Sequence, residues 1–202
     1  MFIKLALQDP FFYFIAVFTL IGSIVLHELA HGVVAISQGD DTPHETGHIT
    51  LNPIVHMGAV SLCCAFVFGA AWGMMPINAD NFKHGRLGRA IVALAGPLTN
   101  LAIALQCCLY LKKSTYFDSI VQVLVIVALI NFLIGFLNLL PLPGLDGFRI
   151  LSLIFPDLKR ISCHPLTFFA NLFLLGLLTS GVFGRDAAIS NVLVNLLAYP
   201  TY

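Results

Sequence analysis

The sequence predicts an all-α polytopic membrane protein: a bundle of about four to six transmembrane helices, with a re-entrant or β-like segment between the first span and the helix that carries residues 95–100. Three observations lead there. Of 202 residues, 58% are hydrophobic and only 10% charged, with a mean hydropathy of +0.93. A soluble domain carries about 25% charged residues, so this chain lacks the polar surface that water demands. Several apolar stretches are long enough to cross a bilayer. Ionisable residues nevertheless stand inside one of them.

The stretches follow in chain order. Residues 11–37, 54–75, 91–111 and 120–140 reach or approach the roughly 20 residues a spanning helix needs. Residues 166–183 are near the lower limit, and 187–198 are too short to span. Lys4 precedes the first stretch, but no small-residue cleavage site ends it, so it reads as a retained span and not a signal peptide. Neither repeat nor low-complexity segment divides the chain, which reads as one membrane-embedded domain over residues 1–202. Ten basic and ten acidic residues cancel, without a basic run to attract phosphate, so nucleic acid is not an expected partner. The five cysteines (Cys63, Cys64, Cys107, Cys108 and Cys163) form no metal-type spacing and read as small apolar side chains.

The polar residues at membrane depth carry the chemistry. An ionisable side chain near the bilayer centre costs at least about 2.5–3.5 kcal/mol, so its presence points to function. The first span contains His27-Glu28-Leu29-Ala30-His31. On a helix, residues four apart share a face, so both imidazoles can reach one tetrahedral cation while Glu28 stands beside it. This is the zinc-binding arrangement of HExxH. A catalytic zinc takes three protein ligands and an open position, and Asp146 is the candidate for the third. It follows Asn138-Leu-Leu-Pro141-Leu-Pro143-Gly144-Leu145 at the end of an apolar stretch. The prolines break the helix, and Gly144 and Gly147 allow unusual backbone angles that turn an Asp back toward the membrane.

Together, His27–His31 and the Asn138–Gly147 run resemble the site-2 protease family of intramembrane zinc metalloproteases, in its compact branch without a PDZ domain. Ala95-Gly96-Pro97-Leu98-Thr99-Asn100 is similar to the helix between those motifs. Leu51-Asn52-Pro53-Ile54-Val55-His56 and the run around residues 73–82 resemble segments of the compact branch. The likeness covers about residues 20–152. It implies one zinc ion per chain held by His27, His31 and Asp146, Glu28 as catalytic base, and a transmembrane protein as substrate. Phe148 stands where the family usually has Gly, and Met57-Gly58 where the branch often has Asp; neither touches a ligand or the base. With no PDZ or nucleotide-sensing module expected, substrate choice rests on the membrane part or on a partner. Asn138 and Asn100 are candidates for an oxyanion donor or for orienting the substrate backbone, with interhelical hydrogen bonding as the alternative role.

Ligands must meet at one depth. His31 and Asp146 lie near the C-terminal ends of their stretches, and residues 91–111 and 120–140 form a hairpin around Lys112-Lys113. The chain between residues 39 and 90 therefore starts and finishes on one side, and 54–75 must dip and return; a short helix plus a re-entrant strand satisfies this. On that layout Lys83, Arg86, Arg89, Arg149, Lys159 and Arg160 share the site's side against Lys4, Lys112, Lys113 and Arg185, which turns the site toward the cytoplasm of a plasma or inner membrane. His44 and His48 read as solvated in a polar loop with Asp40, Asp41 and Glu45; His56 does not read as a ligand. His84 and His164 read as interfacial, and Trp72, Tyr110, Tyr116, Tyr199 and Tyr202 as interface anchors. The competing readings are a metal-binding transporter or channel, which predicts an inverted repeat not found here, and a silent protease-like scaffold, which predicts a lost ligand or base.

Overall fold

The computed structural model describes residues 2–113 and 119–158. Seven α-helices occur among them, and no β-strand. A short turn, α1 (Leu5–Gln8), leads into α2 (Pro10–Ser37). The Asp9 carboxylate accepts from the Phe12 N–H at 3.0 Å, and Pro10 sits where a missing N–H costs nothing. After α2 come a single helical turn, α3 (Thr42–Glu45), and α4 (Pro53–Phe68), which is started by the Asn52 side chain and Pro53. The long α5 (Gly85–Leu111) and α6 (Ser119–Asn138) pack as a hairpin against α2, and α7 (Asp146–Ile154) returns against α5. Helices α2, α5 and α6 are long and apolar enough to cross a membrane. Their outward side chains, Phe14, Phe18, Leu98, Leu105, Phe132 and Phe136, are exposed as lipid contact requires. The expected stretches at 166–183 and 187–198, with His164, Cys163, Tyr116, Tyr199, Tyr202, Lys159, Arg160 and Arg185, lie outside the described residues.

The return between α2 and α5 agrees with the layout and differs in its chemistry. The Lys83 N–H donates to the Gln38 carbonyl at 2.8 Å, which joins the end of α2 to the start of α5 on one side. Helix α4, at 16 residues, is too short to span, and Gly69 (φ 68°) ends it. Residues 69–78 then run back without a strand partner, so the expected β-like element is a lone extended segment. Helix α4 supplies its hydrogen bonds. Ser61, fully buried, accepts from the Trp72 N–H at 2.8 Å and donates to the Trp72 carbonyl at 2.6 Å. The Met74 N–H donates to the His56 carbonyl at 2.9 Å. In a regular helix that carbonyl would serve Val60. The non-helical Gly58 (φ 67°) interrupts the helix between the two. Buried backbone amides need partners, and here they find them without a second strand. Trp72 precedes Gly73, which lies against Glu28 and Ile24 of α2.

Asp40 departs most from expectation. It is fully buried, not solvated. Its carboxylate accepts from the Thr42 hydroxyl (2.6 Å), the Asn78 N–H (2.8 Å) and the Asn81 amide (3.1 Å), tying the loop after α2 to the end of the return segment. Burial opposes its ionisation, but these donors outweigh burial and hold the carboxyl below the usual carboxylate range. A lowered folded pKa contributes stability that is present above the unfolded value and is lost as pH falls through the folded one. Asp40→Ala is expected to lower stability by about 3 kcal/mol at neutral pH, since hydrogen bonds to a charged group each contribute roughly 1.5–3 kcal/mol. The parent should lose this advantage as pH drops below about 4; thermal unfolding in detergent from pH 7 to pH 3 measures both effects.

Candidate metal centre

His27 and His31 lie one turn apart on the inner face of α2, 5% and 2% exposed. At 1.5 Å per residue they stand roughly 15 and 9 Å from the helix end at Ser37. Asp146, 5% exposed, opens α7. The turn before it depends on two glycines for different reasons. Gly144 has φ 96°, where a side chain is strained. Gly147 has no such angle; a Cβ there would run into the Leu139 and Leu140 carbonyls. Close approach to the end of α6, and not the expected torsional freedom, is what it supplies.

Three atoms converge. His27 Nε2 is 3.0 Å from Asp146 Oδ2, His31 Nε2 is 3.1 Å from the same oxygen, and the two Nε2 atoms are 3.1 Å apart. Their other contacts fix the protons. His31 Nδ1 lies 2.7 Å from the Val92 carbonyl, which only accepts, so Nδ1 carries the hydrogen. His27 Nδ1 lies 2.6 Å from Asn100 Oδ1. The Asn100 amide nitrogen faces the Ser23 carbonyl and Asn131 Oδ1, so its oxygen must accept from His27. In their neutral forms, with hydrogen on Nδ1, the two imidazoles turn their Nε2 lone pairs to the point that the Asp146 carboxylate oxygen also faces. A cation answers that arrangement. Zinc at 2.0–2.1 Å in tetrahedral geometry would hold its ligand atoms about 3.3 Å apart, close to the spacing found. His27, His31 and Asp146 form the group of metal-type side chains that can hold an ion among the described residues.

Glu28 is half-buried on the adjacent face, against the return segment: a Cβ on Gly73 would come 2.6 Å from its Cγ. Met75 covers Gly32 one turn further along α2. Two extended residues advance about as far as one helical turn, so the segment runs beside α2 in register. Gly96 is the matching small residue on α5. A Cβ there would sit 2.5 Å from both Nε2 atoms. Asn100 is fully buried behind His27, turned to the imidazole, and Asn138 donates to the Ile134 carbonyl of its own helix at 2.9 Å. Arg149, read from sequence only as a basic residue, donates to the free oxygen of Asp146 at 3.1 Å. His44 is exposed, whereas His56 is buried with Nε2 2.7 Å from the Thr50 carbonyl.

Sequence reasoning missed Asn131. It lies in the most apolar span and is 2% exposed. A search for ionisable groups passed over it because an amide does not ionise, although a buried amide in oil needs partners for the same reason.

Comparison with known proteins follows the geometry. A family model described as Peptidase family M50 matches residues 14–118 and 109–178. The chain is 38% identical over 153 residues to YwhC of Bacillus subtilis, a protein provisionally named a zinc metalloprotease, covering 69% of this chain and 68% of that one. It is 31% identical over 173 residues to Rip2 of Mycobacterium tuberculosis strain H37Rv, under the same provisional name, covering 76% of this chain and 62% of Rip2. Against Rip2 of Mycolicibacterium smegmatis the identity is 33% over 138 residues, 53% of that protein's length. No solved structure matches the chain significantly.

Gly96→Ala separates the metal centre from the fold. Alanine favours a helix by about 1 kcal/mol over glycine, so α5 should persist, while zinc binding by the candidate ligands should fall sharply because the new methyl would occupy the space beside both Nε2 atoms. Metal analysis alongside thermal unfolding checks both halves.

Proposed function

The chain belongs to peptidase family M50, and on that premise we propose that it is an intramembrane zinc metalloendopeptidase that hydrolyses peptide bonds within or beside transmembrane helices of membrane-protein substrates. The observation that carries this reading is the convergence of His27 Nε2, His31 Nε2 and Asp146 Oδ2, with Glu28 alongside, inside a helix bundle built for the bilayer.

His27, His31 and Asp146 would hold one zinc ion, which when bound supplies Lewis acidity and a low-pKa water. The remaining chemistry belongs to the chain. Glu28 accepts the proton of the attacking water and delivers it to the leaving amide nitrogen. Asn100 keeps the His27 imidazole turned toward the centre. Asn138, half-buried with its amide nitrogen donating to the Ile134 carbonyl, is the candidate for orienting the substrate backbone. A substrate helix already uses its carbonyls in hydrogen bonds, so it must unwind locally before cleavage.

The same reading makes the chain a multi-pass protein with the centre toward the cytoplasm. Lys83, Arg86, Arg89 and Arg149 flank the end of the bundle nearer the centre, while Lys4, Lys112 and Lys113 belong to the far end, and positive residues favour the cytoplasmic side.

Glu28→Gln should lower cleavage of a co-reconstituted single-span substrate by roughly 10²–10⁴-fold, the range of general acid–base catalysis, with zinc still bound at one ion per chain. Undiminished cleavage would remove Glu28 from the role of base. His27→Ala and Asp146→Ala should each lose the zinc, read by metal analysis, and helix-breaking residues near the scissile bond should speed cleavage.

A further inference from the structure

The two amides behind His27 form a directed chain. Asn131 Nδ2 donates to the Val127 carbonyl at 2.9 Å in its own helix, α6. That carbonyl can only accept, so the Asn131 oxygen faces the other way, toward α5. There it accepts from Asn100 Nδ2 at 2.9 Å. Asn100 Nδ2 also donates to the Ser23 carbonyl of α2 at 3.2 Å. Both amide hydrogens of Asn100 are thereby engaged, and its oxygen is left for His27 Nδ1 at 2.6 Å.

We propose that Asn131 is a positioning residue of the metal centre: acting through Asn100, it holds His27 in the tautomer with hydrogen on Nδ1, leaving Nε2 free to bind a divalent cation. The inference rests on the reading of His27, His31 and Asp146 as metal ligands. Each link follows from the donor and acceptor inventory of the groups. An amide that reversed would present N–H to the imidazole, move the ring proton to Nε2 and point it at the other two ligands. Groups that orient a ligating histidine commonly alter metal affinity 10–100-fold when removed. Asn100 and Asn131 are 0% and 2% exposed, so water is poorly placed to replace either partner. An interhelical bond that only joined α5 to α6 would need neither this direction nor an end at His27.

The test measures zinc affinity of the full chain in detergent by competition with a chromophoric chelator, with unfolding of the metal-free protein as a control. Asn131→Leu removes the acceptor and should weaken zinc binding at least about tenfold. Asn131→Asp keeps an oxygen facing Asn100 whether or not it is protonated, and should stay close to the parent. Asn131→Ser gives the same comparison in less volume if the leucine variant does not fold, because its hydroxyl turns back to the Val127 carbonyl. In an Asn100→Ala background, Asn131→Leu should add no further loss. Additive losses, equal weakening by Leu and Asp, or parent affinity in the Leu variant would overturn the inference. His27→Ala distinguishes the two levels: retained zinc there would overturn the ligand assignment itself. Lost zinc in His27→Ala with parent affinity in Asn131→Leu would overturn only the role of Asn131.

Discussion

Two imidazole nitrogens and a carboxylate oxygen brought to one point are the constraint on which this molecule is built. Inside an apolar bundle, two imidazole nitrogens and a carboxylate oxygen at 3.0–3.1 Å repel unless something positive stands among them. Each backing contact makes the arrangement stricter. The Val92 carbonyl and Asn100 amide direct the histidine protons away from the centre, and Arg149 engages the carboxylate oxygen that faces outward. Those contacts reach the histidines of α2 and the Asp146 of α7 from α5 and α7, with Asn131 of α6 behind them. The packing of the bundle and the chemistry of the centre are therefore one problem.

The space around the centre is cleared by residues that lack side chains. Gly96 leaves room beside both imidazoles, Gly73 lets the return segment lie on Glu28, and Gly147 lets α7 start against the carbonyls that end α6. A methyl group at any of these would displace a functional side chain or the backbone. The return segment adds a further requirement, since extended chain at membrane depth must satisfy its own amides. Ser61 and the His56 carbonyl do this from α4, and Asp40 fixes the segment's far end. A lone extended chain beside Glu28 is thus stable without a neighbouring strand.

Much of this was readable from local pattern. Hydropathy gave the spans, and the four-residue interval between His27 and His31 put both imidazoles on one face. The turn at residues 141–147 announced itself through Pro141, Pro143 and Gly144. The local signals failed where a residue's environment came from distant chain. Asp40 looked solvated because its sequence neighbours are polar, yet Asn78 and Asn81 enclose it. Hydropathy alone made residues 54–75 long enough to span, since it cannot register that Gly58 and Gly69 break the run; the shared depth of His31 and Asp146 is what required them to return.

The sequence by itself determined the solvent, the helical spans, and which side chains had the valence to hold a metal, because those properties belong to single residues and to short periodicities. Tertiary structure decided their states. That His27 meets Asp146 across 119 residues and Asn100 across 73, and that Asn131 stands behind them both, are consequences of how four helices pack. A proton's position on an imidazole depends on what accepts from it, and for His27 that acceptor is delivered by another helix.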